Sequence, residues 1–123
     1  MLGIVTGDLV RSLRFYRAVG LDIPAPPAGE DYFEITLDGG LRLSWNKVEL
    51  VKSIYPDWVE PEGHRLGMAF LCEGPADVDR RYQTVTGAGF KGAKEPFDAF
   101  WGQRYAIVED PDGNLVDLFA PLG

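Results

Sequence analysis

One cysteine and one histidine occur in 123 residues, and basic side chains are outnumbered, 12 Lys and Arg against 19 Asp and Glu. Each shortage excludes something. The lone Cys72 forms no internal disulfide, and its place in the apolar run Gly67-Met68-Ala69-Phe70-Leu71-Cys72 predicts a buried structural thiol rather than a reactive one. Such cysteine use fits a reducing compartment. With His64 as the sole histidine, set beside Arg65 in a connector, there is no Cys–His pair and no Ser-His-Asp set, and His64 reads as structural or surface. A formal charge of −7 with no concentration of Lys and Arg argues against nucleic acid, whose phosphates most of this surface would repel. It also gives no attraction to anionic membranes. No apolar run approaches the roughly 20 residues that span a bilayer. No basic-then-apolar signal opens the chain, and no Gly-rich phosphate loop occurs in it, so a cytoplasmic protein without a cofactor is expected.

What is present is ordinary globular composition, 46% apolar and 25% charged, in a length suited to a single domain. An internal repeat organises it, with a first half over 1–59 and a second over 60–123. Each half opens on a short apolar strand, Leu2 to Thr6 and then Leu66 to Cys72. An amphipathic helix follows each strand. Asp8 is a plausible N-cap for the first, with Leu9, Leu13 and Tyr16 at i, i+4 and i+7 and Gly20 as its stop. Asp77, Val78, Tyr82, Val85 and Gly89 repeat that series at a constant offset.

The halves also close alike. Phe33–Leu37, Asp38-Gly39-Gly40 and Leu41–Trp45 read as a β-hairpin, because Asp-Gly supplies the positive φ of a tight turn. Tyr105–Val108, the Asp110–Asn114 turn and Leu115–Phe119 read the same way. Two copies of strand, helix and three strands predict an α+β domain whose helices cover one sheet face and leave the other available. Pro24-Ala25-Pro26-Pro27 joins the first helix to its next strand, Val48 to Ile54 is suited to a short helix, and Tyr55 to Gly63 connects the halves.

Strand alternation separates two faces. Phe33, Ile35, Leu37, Leu41, Leu43 and Trp45 share the face that packs on the helices, while Tyr32, Glu34, Thr36, Arg42 and Ser44 share the other. In the last strand Val116 and Leu118 turn inward, and Asp117 and Phe119 turn to the open side. A merely solvated face is the plain alternative. Two large aromatics, Tyr32 and Phe119, favour a small-molecule surface instead. Phe100 and Trp101 are adjacent, so from an extended segment they diverge, and one of them projects from the fold. Trp58, between Pro56 and Pro61, reads as a loop anchor.

Gly7-Asp8-Leu9, Ser12-Leu13, Phe15-Tyr16, Met68-Ala69-Phe70 and above all Glu109-Asp110-Pro111-Asp112-Gly113-Asn114-Leu115-Val116-Asp117-Leu118 resemble the vicinal-oxygen-chelate (glyoxalase/bleomycin resistance protein/dioxygenase) superfamily over the whole length. That resemblance implies paired βαβββ modules forming a cupped mixed sheet with helices on its outer face, and a homodimer, frequently with sites shared between subunits. A narrower likeness, to the mitomycin-binding resistance branch, is carried by Leu37-Asp38-Gly39-Gly40, Arg42, Trp45, Gly63-His64-Arg65 and Trp101–Val108. It implies a planar drug sandwiched between a tryptophan, here Trp101, and a histidine of the other subunit, here replaced by Tyr32. An aromatic sandwich survives that exchange. Gln103, Glu34, Arg42 and Asp117 are then candidate polar contacts, and Phe100 and Phe119 candidate apolar walls.

Metal-dependent relatives carry His, Glu or Gln at positions that fall here on Met1, Arg42, Gly67 and Asp117. Only Asp117 suits a divalent ion, and about three ligands are needed. Glu34 and Asp117 as an acid–base pair around Arg42 is a weaker reading than ion pairing or ligand contact. The expectation is therefore non-catalytic sequestration of a planar aromatic, quinone-type antibiotic, without metal. The alternatives are a metal-dependent lyase or dioxygenase with a rearranged site, or a dimeric domain with another ligand or none.

Overall fold

Ile4 and Thr6, at alternating positions, are the buried residues of the first strand, β1 (Leu2–Thr6), while Leu2 at its start is exposed. The structure is a computed structural model describing residues 1–25, 29–63 and 66–123. Beyond β1 run α1 (Leu9–Val19), β2 (Tyr32–Thr36), β3 (Arg42–Lys47), α2 (Val48–Ile54), β4 (Met68–Leu71), α3 (Pro75–Gly87), β5 (Lys91–Asp98), β6 (Gln103–Glu109) and β7 (Leu115–Pro121). The strands form two mixed sheets, ordered β1-β3-β2 and β4-β7-β6-β5. In each, the opening strand lies parallel to the closing one, β1 beside β3 and β4 beside β7, with antiparallel hairpins completing the sheet. The α+β fold expected from the repeat is present.

One strand of the expected set is missing from the first sheet among the described residues. The second half has β5 between its helix and its hairpin, and the first half has the Pro24-Ala25-Pro26-Pro27 stretch in that place. Of that stretch Pro24 and Ala25 are described and form no strand, and Pro24 has no N–H to give a ladder. Pro26, Pro27, His64 and Arg65, and with them the reading of His64, lie outside the described residues.

The helices start and stop where local chemistry dictates. The Asp8 side chain accepts from the Arg11 N–H, 3.0 Å, and caps α1. Gly20 ends it at φ +126°, and Nη1 of Arg81 donates to the freed carbonyl of Val19, 3.1 Å. Arg81 is in turn held by Asp77 in the first turn of α3, so the end of one helix is tied to the start of the other. Val48–Ile54 is helical as its sequence suggested.

Leu9, Leu13, Tyr16 and Val19 of α1 are buried, as are Val78 and Val85 of α3. The two helices pack on each other, α1 also on β3, and α3 on β5, β6 and β7. Tyr16 spans the halves, 5.5 Å from the Trp45 ring of β3 and 6.5 Å from Phe70 of β4. Each large apolar side chain so buried contributes about 1.5–3 kcal/mol. Trp45, Leu43, Val116 and Leu118 are buried on the inward faces of the sheets, as alternation predicted, and Ala120 joins them, whereas Leu41, expected on the same face, is exposed at the hairpin turn. Cys72 is buried in the same core, and burial pushes its thiol up from the ordinary value. The opposite faces of both sheets lie away from the helices.

Candidate functional site

The open face of the first sheet carries Tyr32, Glu34, Thr36, Arg42, Ser44 and Asn46, because β2 and β3 pair Tyr32 with Asn46, Glu34 with Ser44 and Thr36 with Arg42. Three of these make one cluster. Arg42 donates from Nε to Glu34 Oε2 at 2.7 Å and from Nη2 to Oε1 at 2.9 Å, a two-pronged grip, and the Tyr32 hydroxyl donates to the same Oε1 at 3.1 Å. The Arg42 hydrogen bonds hold the Glu34 carboxyl below the usual carboxylate range, and Glu34 raises Arg42. Tyr32 remains about a third exposed. Ser44 is on this face yet buried, accepting from Asn46 Nδ2.

The open face of the second sheet is aromatic. β6 and β7 pair Tyr105 with Phe119 and Ile107 with Asp117, and β5 brings Phe97 opposite Tyr105. Trp101 sits in the turn between β5 and β6, closed by Gly102 N–H to the Ala99 carbonyl and Ala99 N–H to the Gln103 carbonyl. Its ring stands nearly perpendicular to those of Tyr105, 5.2 Å away, and Phe97, 6.2 Å away. Its indole N–H donates to Gln103 Oε1 at 2.8 Å. These contacts hold the indole while leaving it 48% exposed. Phe100 is the residue that projects, 97% exposed with its ring 5.0 Å from Trp101. The Tyr105 hydroxyl donates to Asp117, and burial followed by that carboxylate pushes the phenol up to about 12. Phe119 lies half-buried alongside, 6.5 Å from Tyr105.

All eight residues singled out in the sequence therefore lie on the open faces or, for Phe100 and Trp101, on the turn beside them. They fall into two groups: Tyr32, Glu34 and Arg42 in one, Trp101, Gln103, Phe100, Phe119 and Asp117 in the other. Among the described residues no hydrogen bond, ion pair or ring contact joins the groups within the chain. Sequence reasoning missed Tyr105 and Phe97, which support Trp101 and Asp117. Tyr105 was legible, since it alternates with Gln103 and Ile107 along β6.

The metal positions of the superfamily do not make a metal site here. Arg42 places a guanidinium on the open face, Gly67 offers no side chain, Met1 is exposed, and Asp117 accepts from Tyr105. Among the described residues no three His, Cys, Asp or Glu converge to hold an ion. Glu34 and Asp117 already have partners, so neither is placed as an uncommitted base. The same residues offer flat rings for stacking and oriented polar groups for contact. Among the described residues no helix is long and apolar enough to cross a membrane.

Residues 1–118 match the family model described as Glyoxalase/Bleomycin resistance protein/Dioxygenase superfamily. Among solved structures, the chain is similar to a glyoxalase/bleomycin resistance protein/dioxygenase family enzyme from Burkholderia phytofirmans PsJN, at 20% identity and TM-score 0.81, covering 98% of this chain and 96% of that one. The hypothetical protein SA1046 from S. aureus is similar at 20% identity and TM-score 0.79, covering 98% and 91%. A superfamily member from Sphaerobacter thermophilus DSM 20745 is similar at 27% identity and TM-score 0.65, covering 96% and 92%. No curated protein matches the chain.

Proposed function

Because the chain belongs to the glyoxalase/bleomycin resistance protein/dioxygenase superfamily, we propose that it binds and sequesters a planar aromatic small molecule without transforming it. The observation that carries this reading is Trp101, held edge-on by Tyr105 and Phe97 and hydrogen-bonded through its indole N–H, yet nearly half exposed. A large aromatic fixed in orientation and left open to solvent is a stacking platform with its ordering cost already met by the fold. The broken metal pattern supports binding over lyase or dioxygenase chemistry.

In this reading two subunits pair so that Tyr32 of one chain and Trp101 of the other close on the two faces of the ligand. The separation of the two residue groups within one chain is what such an arrangement needs. Arg42, Glu34 and Asp117 rim the cleft as polar contacts, and Phe119 and Phe100 extend its apolar wall. A mitomycin-like quinone has the required flatness, and capture inside the cell would lower its free concentration. Equilibrium dialysis against mitomycin tests this. The expected result is one ligand per subunit, recovered chemically unchanged. Stoichiometric conversion of the quinone, or no saturable uptake of it or of other flat polycyclic quinones, would overturn the proposal.

A further inference from the structure

Pairing across the second sheet lines up Lys94 of β5, Ile107 of β6 and Asp117 of β7 in one row, beside the aromatic row of Phe97, Tyr105 and Phe119. Lys94 is exposed, and its ammonium lies 4.8 Å from the centroid of the Phe97 ring, the ring that also holds Trp101 edge-on. Attraction to that π-face keeps the charge at the border of the stacking platform. β5 is the edge of the sheet farthest from β4. Lys94 has no ion-pair partner among the described residues, whereas Lys91, in the next row of the same face, is bound to Glu109 at 3.3 Å. At the other end of the Lys94 row, Asp117 accepts from Tyr105. The row therefore runs from a cation to a carboxylate across one apolar residue. A flat ligand stacked on Trp101 meets the two signs at opposite edges, with attraction for an anionic oxygen at the first and repulsion at the second.

We infer that Lys94 determines the specificity of the Trp101 platform, selecting flat quinones that carry an ionised hydroxyl. The ring system stacks on the indole, the anionic oxygen turns toward the Lys94 ammonium, and Asp117 fixes that orientation by repelling the opposite one. The inference rests on the reading of Trp101 as a stacking surface and adds to it the chemical class of the ligand.

A hydroxynaphthoquinone, ionised at neutral pH, and its methyl ether, neutral and equally flat, separate the two ideas in equilibrium dialysis of the full chain. The expected result is binding of both, with the anion tighter by about fivefold, as suits an exposed ion pair, and a ratio that narrows as salt is raised. Lys94 is exposed, so Lys94→Met leaves the fold intact and brings the ratio close to unity, and Lys94→Arg restores the preference. Lys91→Met, which removes an equal charge from the same face, leaves the ratio unchanged. Binding of both compounds with no preference for the anion overturns the inference and leaves the stacking surface standing. A preference that survives Lys94→Met, or that falls as far in Lys91→Met, also overturns it. Uptake of neither compound overturns the inference together with the reading beneath it.

Discussion

The hydroxyl of Tyr16, on the first helix, donates to Asp110 in the last hairpin turn, 2.7 Å away and 94 residues further along the chain. Asp110 also accepts from the backbone N–H groups of Asp112 and Asn114 and from the Asn114 amide, so one buried carboxylate both shapes the turn and receives the helix. Burial and the neighbouring Asp110 charge push the Tyr16 phenol far above its ordinary value, which keeps it a donor at every working pH. Tyr16→Phe preserves the ring packing and leaves Asp110 one donor short. Urea unfolding should show a loss of about 1–3 kcal/mol, and a loss near zero would mean that water replaces the phenol.

The junction between the helices makes a second prediction. A Cβ on Gly20 would lie 2.5 Å from Nη1 of Arg81, at a φ of +126° that side chains rarely adopt. Gly20→Ala should therefore destabilise by more than about 1 kcal/mol. Gly87, the last helical residue of α3, has open space around it, and Gly87→Ala should be neutral or stabilising by up to about 1 kcal/mol. Thermal unfolding of the pair distinguishes strain at Gly20 from a general effect of alanine.

A third prediction concerns pH. Asp77 accepts from the Glu73 backbone N–H and from Arg80 and Arg81, and these, the backbone bond first, hold its carboxyl below the usual range. A carboxyl depressed in the folded state adds stability above its unfolded value, about 3.9, and loses it as pH falls through the folded value. Asp77→Asn should then be clearly less stable than wild type at pH 7, and the gap should close below pH 4. A gap constant from pH 7 to pH 3 would assign the effect to lost hydrogen bonds alone.

Much of this architecture was legible from residue order. Leu9, Leu13 and Tyr16, with Asp8 before and Gly20 after, specify a helix and its ends by spacing and capping chemistry. Asp38-Gly39-Gly40 and Asp112-Gly113 specify hairpins through positive φ. β5 was not visible in the same way. Its register with β6 shifts between Gly92 and Lys94 and again between Lys94 and Phe97, and it contains Pro96, so its faces do not alternate cleanly. Phe97 was lost with it, and Tyr105, though in phase with Gln103, gained significance only from the ring and carboxylate beside it. The Tyr16–Asp110 bond has no local signature, since it depends on how two distant elements dock.

The pairing of Glu34 with Arg42 supplies a fourth prediction. Both side chains are exposed, so screening by water keeps the pair's effect on folding small. Glu34→Gln should leave the unfolding midpoint close to wild type and weaken quinone binding, with Arg42 no longer held against the first sheet. A large drop in midpoint would show that the pair serves the fold instead.

The claim on which the functional account rests is that Trp101 is the stacking platform. Mitomycin titrated into the protein, followed by tryptophan fluorescence, tests it directly against Trp101→Ala. Trp45 is buried in the core and remains in the variant as an internal reference. The account predicts saturable quenching in the wild type that disappears in Trp101→Ala while that variant unfolds as cooperatively as the parent. Quenching of equal amplitude and affinity in both proteins would contradict it.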